Sequence, residues 1–158
     1  MSREMKKNND TIALNRRAKF DYQIVETVEA GLVLTGTEVK SLRYGRANIQ
    51  QCYAGEENGE LWLFGAQIDE YEQAGRHLQH EPRRNRKLLL KKKEVNKLIG
   101  HITRDGMTLV PMSLYFNGRG IAKLKLGLAK GKKQHEKREA VKDRDWKRDQ
   151  GRILKNNK

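Results

Sequence analysis

Residues 121–139 read IAKLKLGLAKGKKQHEKRE, and within this stretch the chain changes character. Ala122, Leu124, Leu126 and Leu128 fall on one face; Lys123 and Lys125 fall on the other. Side chains along a strand alternate between faces, so this is the pattern of a half-buried strand with a basic outer surface. From Gly131-Lys132-Lys133 onward little remains that is apolar enough to bury. A folded body is therefore expected to end near Ala129, with a basic tail leaving its last strand.

The charge balance supports that division. The chain has 158 residues and a formal net charge of +14. Residues 130–158 hold 12 Lys/Arg against 5 acids, so half of the excess sits in the tail. A surplus of this size points to a polyanionic partner. No apolar run approaches the ~18–20 residues needed to span a bilayer, so nucleic acid is favoured over membrane. The opening MSREMKKNND is charged and lacks an apolar run, so no secretion signal is expected. Cys52 is the single cysteine and has no internal partner, which suits a reducing, cytoplasmic setting.

Upstream, 1–11 read as a flexible arm, and Ile12, Ala13 and Leu14 as residues able to dock on the body. Alternation at Phe20, Tyr22, Ile24 and Val28 predicts a strand to Glu29, with a turn at Ala30-Gly31 and a returning strand over 32–37. A short helix is expected over 38–44, stopped at Gly45. Asn58-Gly59 is the strongest hairpin signal, between strands over 49–54 and 60–68. Residues 69–82 read as a polar connection. The basic cluster Arg83-Arg84-Asn85-Arg86-Lys87 leads into leucines, and Leu88, Val95, Leu98, Ile99 and Ile102 recur at helical spacing, with Gly100 as the helix end or a fray. Asp105-Gly106 turns into a strand over 107–116, which Pro111 places at an edge or bulge. A tight hairpin through 117–120 returns as 121–129.

Six strands with two or three short helices and no βαβ rhythm predict a mainly β protein. A small antiparallel barrel fits best, since closure removes exposed edges, with an open sandwich as the alternative. The domain organisation is then a 1–11 arm, a 12–129 barrel and a 130–158 tail. Tail residues Val141, Trp146, Ile153 and Leu154 cannot offset an ordering cost of ~1–2 kcal/mol per residue, so the tail is expected to be disordered when free and helical when bound.

Catalytic patterns are missing. GLAKGKK at 127–133 is one residue short of a phosphate loop and lacks the following Ser/Thr. His77 and His80 read as surface-loop residues, and one cysteine leaves no zinc set. Ser41 and Ser113 lack a paired base. No cofactor and no enzyme activity are expected. The basic groups cluster as Arg16, Arg17 and Lys19; Lys40, Arg43 and Arg46; Arg83, Arg84, Arg86 and Lys87; and Lys123 and Lys125 with the tail. Such groups bind phosphates without reading sequence. Leu89 could pack on unstacked bases, and Tyr44 and Tyr53 are candidate stacking platforms, although tyrosines in small barrels are more often core.

Five blocks, IALNRRAKFDY (12–22), EAGLVLTGTEVKSLR (29–43), HEPRRNRKLLL (80–90), AKGKKQHEKRE (129–139) and DRDWKRD (143–149), together resemble the bacterial SsrA-binding protein family, SmpB. The resemblance implies an oligonucleotide-binding-type barrel that binds the tRNA-like domain of transfer-messenger RNA (tmRNA). It implies trans-translation, the rescue of ribosomes stalled on messages without a stop codon, with elongation factor Tu engaged through the tmRNA complex. By matching position, Asn15, Glu29 and Leu89 correspond to tmRNA-recognition residues. Gly131, Lys132, Lys133 and His135, beside Lys137 and Arg138, correspond to a motif at the decoding centre, where His135 would stack on small-subunit ribosomal RNA. Asp145, Trp146 and Lys147 correspond to a motif lying in the mRNA channel. Glu136 stands where many members carry Asp. Two other readings fit a basic barrel: a general single-strand binder, and an assembly protein embedded in the ribosome.

Overall fold

A computed structural model describes residues 10–131, together with Trp146 and Arg148. Among residues 10–131, nine strands and three α-helices follow in chain order: β1 (Thr11–Leu14), α1 (Ala18–Asp21), β2 (Tyr22–Leu32), α2 (Gly36–Arg43), β3 (Ala47–Asn48), β4 (Tyr53–Glu57), β5 (Glu60–Phe64), β6 (Gln67–Ile68), β7 (Arg86–Leu89), α3 (Lys92–Asp105), β8 (Thr108–Phe116) and β9 (Ala122–Gly131). All pairings are antiparallel. Hydrogen bonding runs β8-β4-β5-β7-β2-β9 and returns to β8, so six strands close a ring. This is the expected barrel. β1 adds to the outside edge of β8 beyond β4, and β3 pairs β6 as a separate ribbon.

Strand β9 behaves as its alternation predicts. Leu124, Leu126 and Leu128 are buried in the barrel core, where they meet Leu61, Leu63, Leu88, Leu109 and Leu114. Leu98 of α3 and Leu42 of α2 close the core from outside the sheet, and Ile12 of β1 joins it. A second, smaller cluster lies on the outer wall. There Ala18 of α1 packs with Val110, Met112 and Ala129. Gly127 makes room for it: a Cβ there would stand 2.9 Å from Met112 Sδ and 3.0 Å from Ile24 Cδ1.

Local signals are met in several places. Asn58 and Gly59 both take positive φ, as a tight hairpin of this hand requires. Thr35 caps α2 in a reciprocal box with Glu38. A register shift falls between Pro111 and Ser113, at the expected bulge.

Other expectations are corrected. No turn forms at Ala30-Gly31. β2 runs straight through, Ala30 opposite Leu124 and Gly31 opposite both Lys123 and Leu89. Gly31 is needed for close approach, because a Cβ would lie 3.3 Å from the Leu89 Cβ. Phe20 is in α1 rather than in the strand. The returning strand over 32–37 is replaced by an extended segment and the start of α2. Leu88 belongs to β7, paired with Leu32, because the sheet claims it before the helix begins at Lys92. Gly100 does not end α3, which continues to Asp105 and stops at a left-handed Gly106. His80 is buried: its ring bonds Thr37 Oγ1 and the Ile68 carbonyl, both at 2.8 Å.

Candidate nucleic-acid interface

Residues far apart in the chain meet on one row of the outer wall. Across β1, β8, β9 and β2 the register aligns Leu14, Ser113, Lys125 and Glu29. One step along, it aligns Tyr115, Lys123, Gly31 and Leu89 across β8, β9, β2 and β7. Adjacent strands are about 4.8 Å apart, so Glu29 and Leu89 are close neighbours and β1 is roughly 15 Å from Glu29. Asn15 follows directly after β1. All three residues suggested by the resemblance therefore reach one face.

Glu29 is exposed yet held. The Tyr115 hydroxyl donates to its carboxylate. Burial, this hydrogen bond and the adjoining negative charge keep the Tyr115 phenol protonated well above its usual range. Lys125 stands opposite Glu29 in register, and a Cβ on Gly31 would sit 3.6 Å from Lys123 Nζ. An acid thus sits among lysines with one oxygen engaged, leaving the rest of its acceptor capacity outward. Leu89 is 49% exposed beside it, an apolar surface suited to an unstacked base. The sequence reading missed Tyr115 and the spacing role of Gly31. The alternation Ser113-Leu114-Tyr115 marks Tyr115 as outward, but not what it meets.

Asn15 works partly inward. Its amide donates to the Pro111 carbonyl at 2.9 Å and so secures the bulge in β8. Arg16, Arg17 and Lys19 are exposed around it. Arg17 lies 3.6 Å from Asp21 and over the Phe20 ring at 5.5 Å.

The 83–87 cluster divides. Arg86 is a correction: it is 0% exposed and cannot touch RNA. It bonds Glu38, equally buried, and donates to the carbonyls of Ala66 at 2.7 Å and Pro82 at 3.1 Å. Arg84 joins from the rim, bonding Glu38 at 2.6 Å and the Val33 carbonyl at 3.0 Å. Burial pushes the Glu38 carboxyl up, but Arg84, the Thr35 N–H and Arg86 outweigh it and hold it below its ordinary value. These bonds tie α2 to β7 and to the loop before it. Lys87 points outward from β7 and lies 3.3 Å from Glu60. On α2, Lys40 lies over the Tyr71 ring at 5.6 Å and Arg43 is exposed. Lys40 and Arg43 lie off the Glu29 row.

Gly131 ends β9 opposite Tyr22. Tyr22 and Glu29 are separated by roughly 25 Å of strand, so the chain leaves the barrel at the end remote from that row. Lys132, Lys133, His135, Lys137, Arg138, Asp145 and Lys147 lie outside the described residues. Trp146 is helical and 62% exposed. Among the described residues no group of three or more His, Cys, Asp or Glu could hold a metal. No helix among them is long and apolar enough to cross a membrane.

Comparison with known proteins adds sequence and structural relatives. The family profile described as "SmpB protein" matches residues 12–156. An "SsrA-binding protein" from Agrobacterium fabrum is 60% identical over 149 residues, covering 94% of this chain and 92% of the relative. One from Rhodospirillum rubrum is 58% identical over 144 residues, covering 91% of this chain and 90% of the relative. A solved structure described as "tmRNA-SmpB: a journey to the center of the bacterial ribosome" contains a chain 49% identical, with a TM-score of 0.63, covering 81% of this chain and 92% of that one.

Proposed function

Because this chain belongs to the SmpB family, that of the SsrA-binding proteins, we propose that it is a noncatalytic RNA-binding adaptor of trans-translation in the cytoplasm. Its barrel binds the tRNA-like domain of tmRNA, and its tail enters the decoding centre and empty mRNA channel of a stalled ribosome. Elongation factor Tu joins through the tmRNA complex. The stalled chain is then tagged and the ribosome released.

One observation carries this reading: the Tyr115–Glu29–Leu89 row lies toward the opposite end of β2 and β9 from the point where the chain leaves at Gly131. A body that holds one RNA at one end and sends a basic segment from the other suits a two-site adaptor. Arg16, Arg17, Lys19 and Lys87 supply phosphate attraction, as do Lys40, Arg43 and Arg84 at the edge. Glu29 is repelled by phosphates, so it selects for N–H or O–H donors on base or ribose. In the tail, Gly131, Lys132, Lys133, His135, Lys137 and Arg138 serve the decoding centre, and Asp145, Trp146 and Lys147 the mRNA channel.

Competition binding at matched salt tests the body's role. The tRNA-like domain of tmRNA should be preferred strongly over unrelated folded and single-stranded RNAs of equal length. Equal affinity for all of them would instead indicate a general single-strand barrel.

A further inference from the structure

We propose that Tyr53 forms the wall of a nucleobase subsite that receives an unstacked base of the tRNA-like RNA, a reading that rests on the function given above. Tyr53 starts β4 and is 60% exposed. Its inner face is stacked on Phe64 of β5, with centroids 5.1 Å apart and planes at 26°. The ring is therefore backed on one side and open on the other, the arrangement that accepts a stacked base.

A cavity of about 280 Å³ opens beside it near the start of β2, lined by Asn15, Arg17, Asp21, Tyr22, Gln50 and Tyr53 among others. Its rim carries the functional groups a base edge needs. Gln50 and Gln51 are both exposed and offer amide donors and acceptors. Asn15 spends its Nδ2 on the Pro111 carbonyl, which leaves its Oδ1 as an acceptor. Arg16 and Arg17 are exposed beside it and supply charge for the attached phosphate, with Asp21, 3.6 Å from Arg17, offsetting part of it.

Charge also fixes the direction of approach. The far end of the β4–β5 hairpin carries Glu56, Glu57 and Glu60, four residues or roughly 13 Å from Tyr53. A phosphodiester cannot run favourably along that acidic tip, so the strand must enter from the Arg16–Arg17 side. Asn15 borders both this cavity and the Glu29 row. The subsite lies nearer the Gly131 end of the barrel than the Glu29 row does, and Asn15 joins the two, which makes the RNA held at that row its occupant.

Binding of the isolated tRNA-like domain to full-length protein at fixed salt tests this. Tyr53→Ala should weaken binding about 5- to 150-fold, the range for losing one base–aromatic stack. Tyr53→Phe, which keeps the ring, should bind as wild type does. Tyr53 is largely outside the core, so both variants should melt close to wild type. Undiminished binding by Tyr53→Ala would overturn the subsite alone, as would an equal loss in Tyr53→Phe. Failure of the wild-type protein to bind the RNA would overturn the functional reading and the subsite with it.

Discussion

At Glu29 an acid survives on a face built largely from lysines, and Tyr115 shows how. The tyrosine comes from a strand that is not the immediate neighbour of β2; its hydroxyl reaches across β9 to the carboxylate. Because that phenol stays protonated well above its usual range, it remains a donor at any physiological pH. Glu29 is thereby fixed in direction, and Tyr115 is a positioning residue for it. Tyr115→Phe should weaken binding of the tRNA-like domain roughly 2- to 10-fold, the worth of one net hydrogen bond. The same change made on top of Glu29→Ala should cost little more. A double-mutant cycle on the dissociation constant, with melting curves alongside, checks this. Equal losses in both backgrounds would mean that Tyr115 touches the RNA itself.

Among the elements, α2 depends most on a single buried ion cluster. Glu38 caps the helix from its first turn, accepting from the Thr35 N–H at 2.8 Å, and also receives Arg84 and Arg86. Removing the acid would strand the buried guanidinium of Arg86, so Glu38→Gln should destabilise the fold by about 3–5 kcal/mol at neutral pH. The pH dependence has a definite sign. The folded carboxyl titrates below its ordinary value of 4.5. Its contribution is complete above that value and is lost as the pH falls through the lowered folded value. Chemical denaturation of wild type and Glu38→Gln between pH 7 and pH 3 should therefore show a constant gap that closes only at the acid end. A gap unchanged down to pH 3 would contradict this account.

For the molecule as a whole, the distance between the Glu29 row and Gly131 predicts separable losses. Truncation after Gly131 removes no residue of the barrel, because β9 pairs with β2 up to that point. Such a protein should hold the tRNA-like domain with near wild-type affinity and fail to support tagging on ribosomes stalled without a stop codon. Gel-shift titration and a reconstituted tagging assay measure the two halves. Loss of both together would mean that the tail belongs to the tmRNA site.

What the sequence determined by itself was local. Alternation in 121–129 made β9 a strand with leucines inward and lysines outward, and Asn58-Gly59 made a hairpin. These signals survive in isolation because side-chain period and turn geometry depend on only a few neighbouring residues. The tertiary structure decided the rest. It kept Gly31 within β2 instead of a turn, because Leu89 packs against it from a strand nearly sixty positions away. It buried Arg86 while its neighbours stayed near the surface, because Glu38 and two carbonyls were there to satisfy it. It also brought Asn15, Glu29, Leu89 and Tyr115 to one face. Which strands become neighbours is fixed by burial of a shared core and closure of the ring, and both are properties of the whole chain.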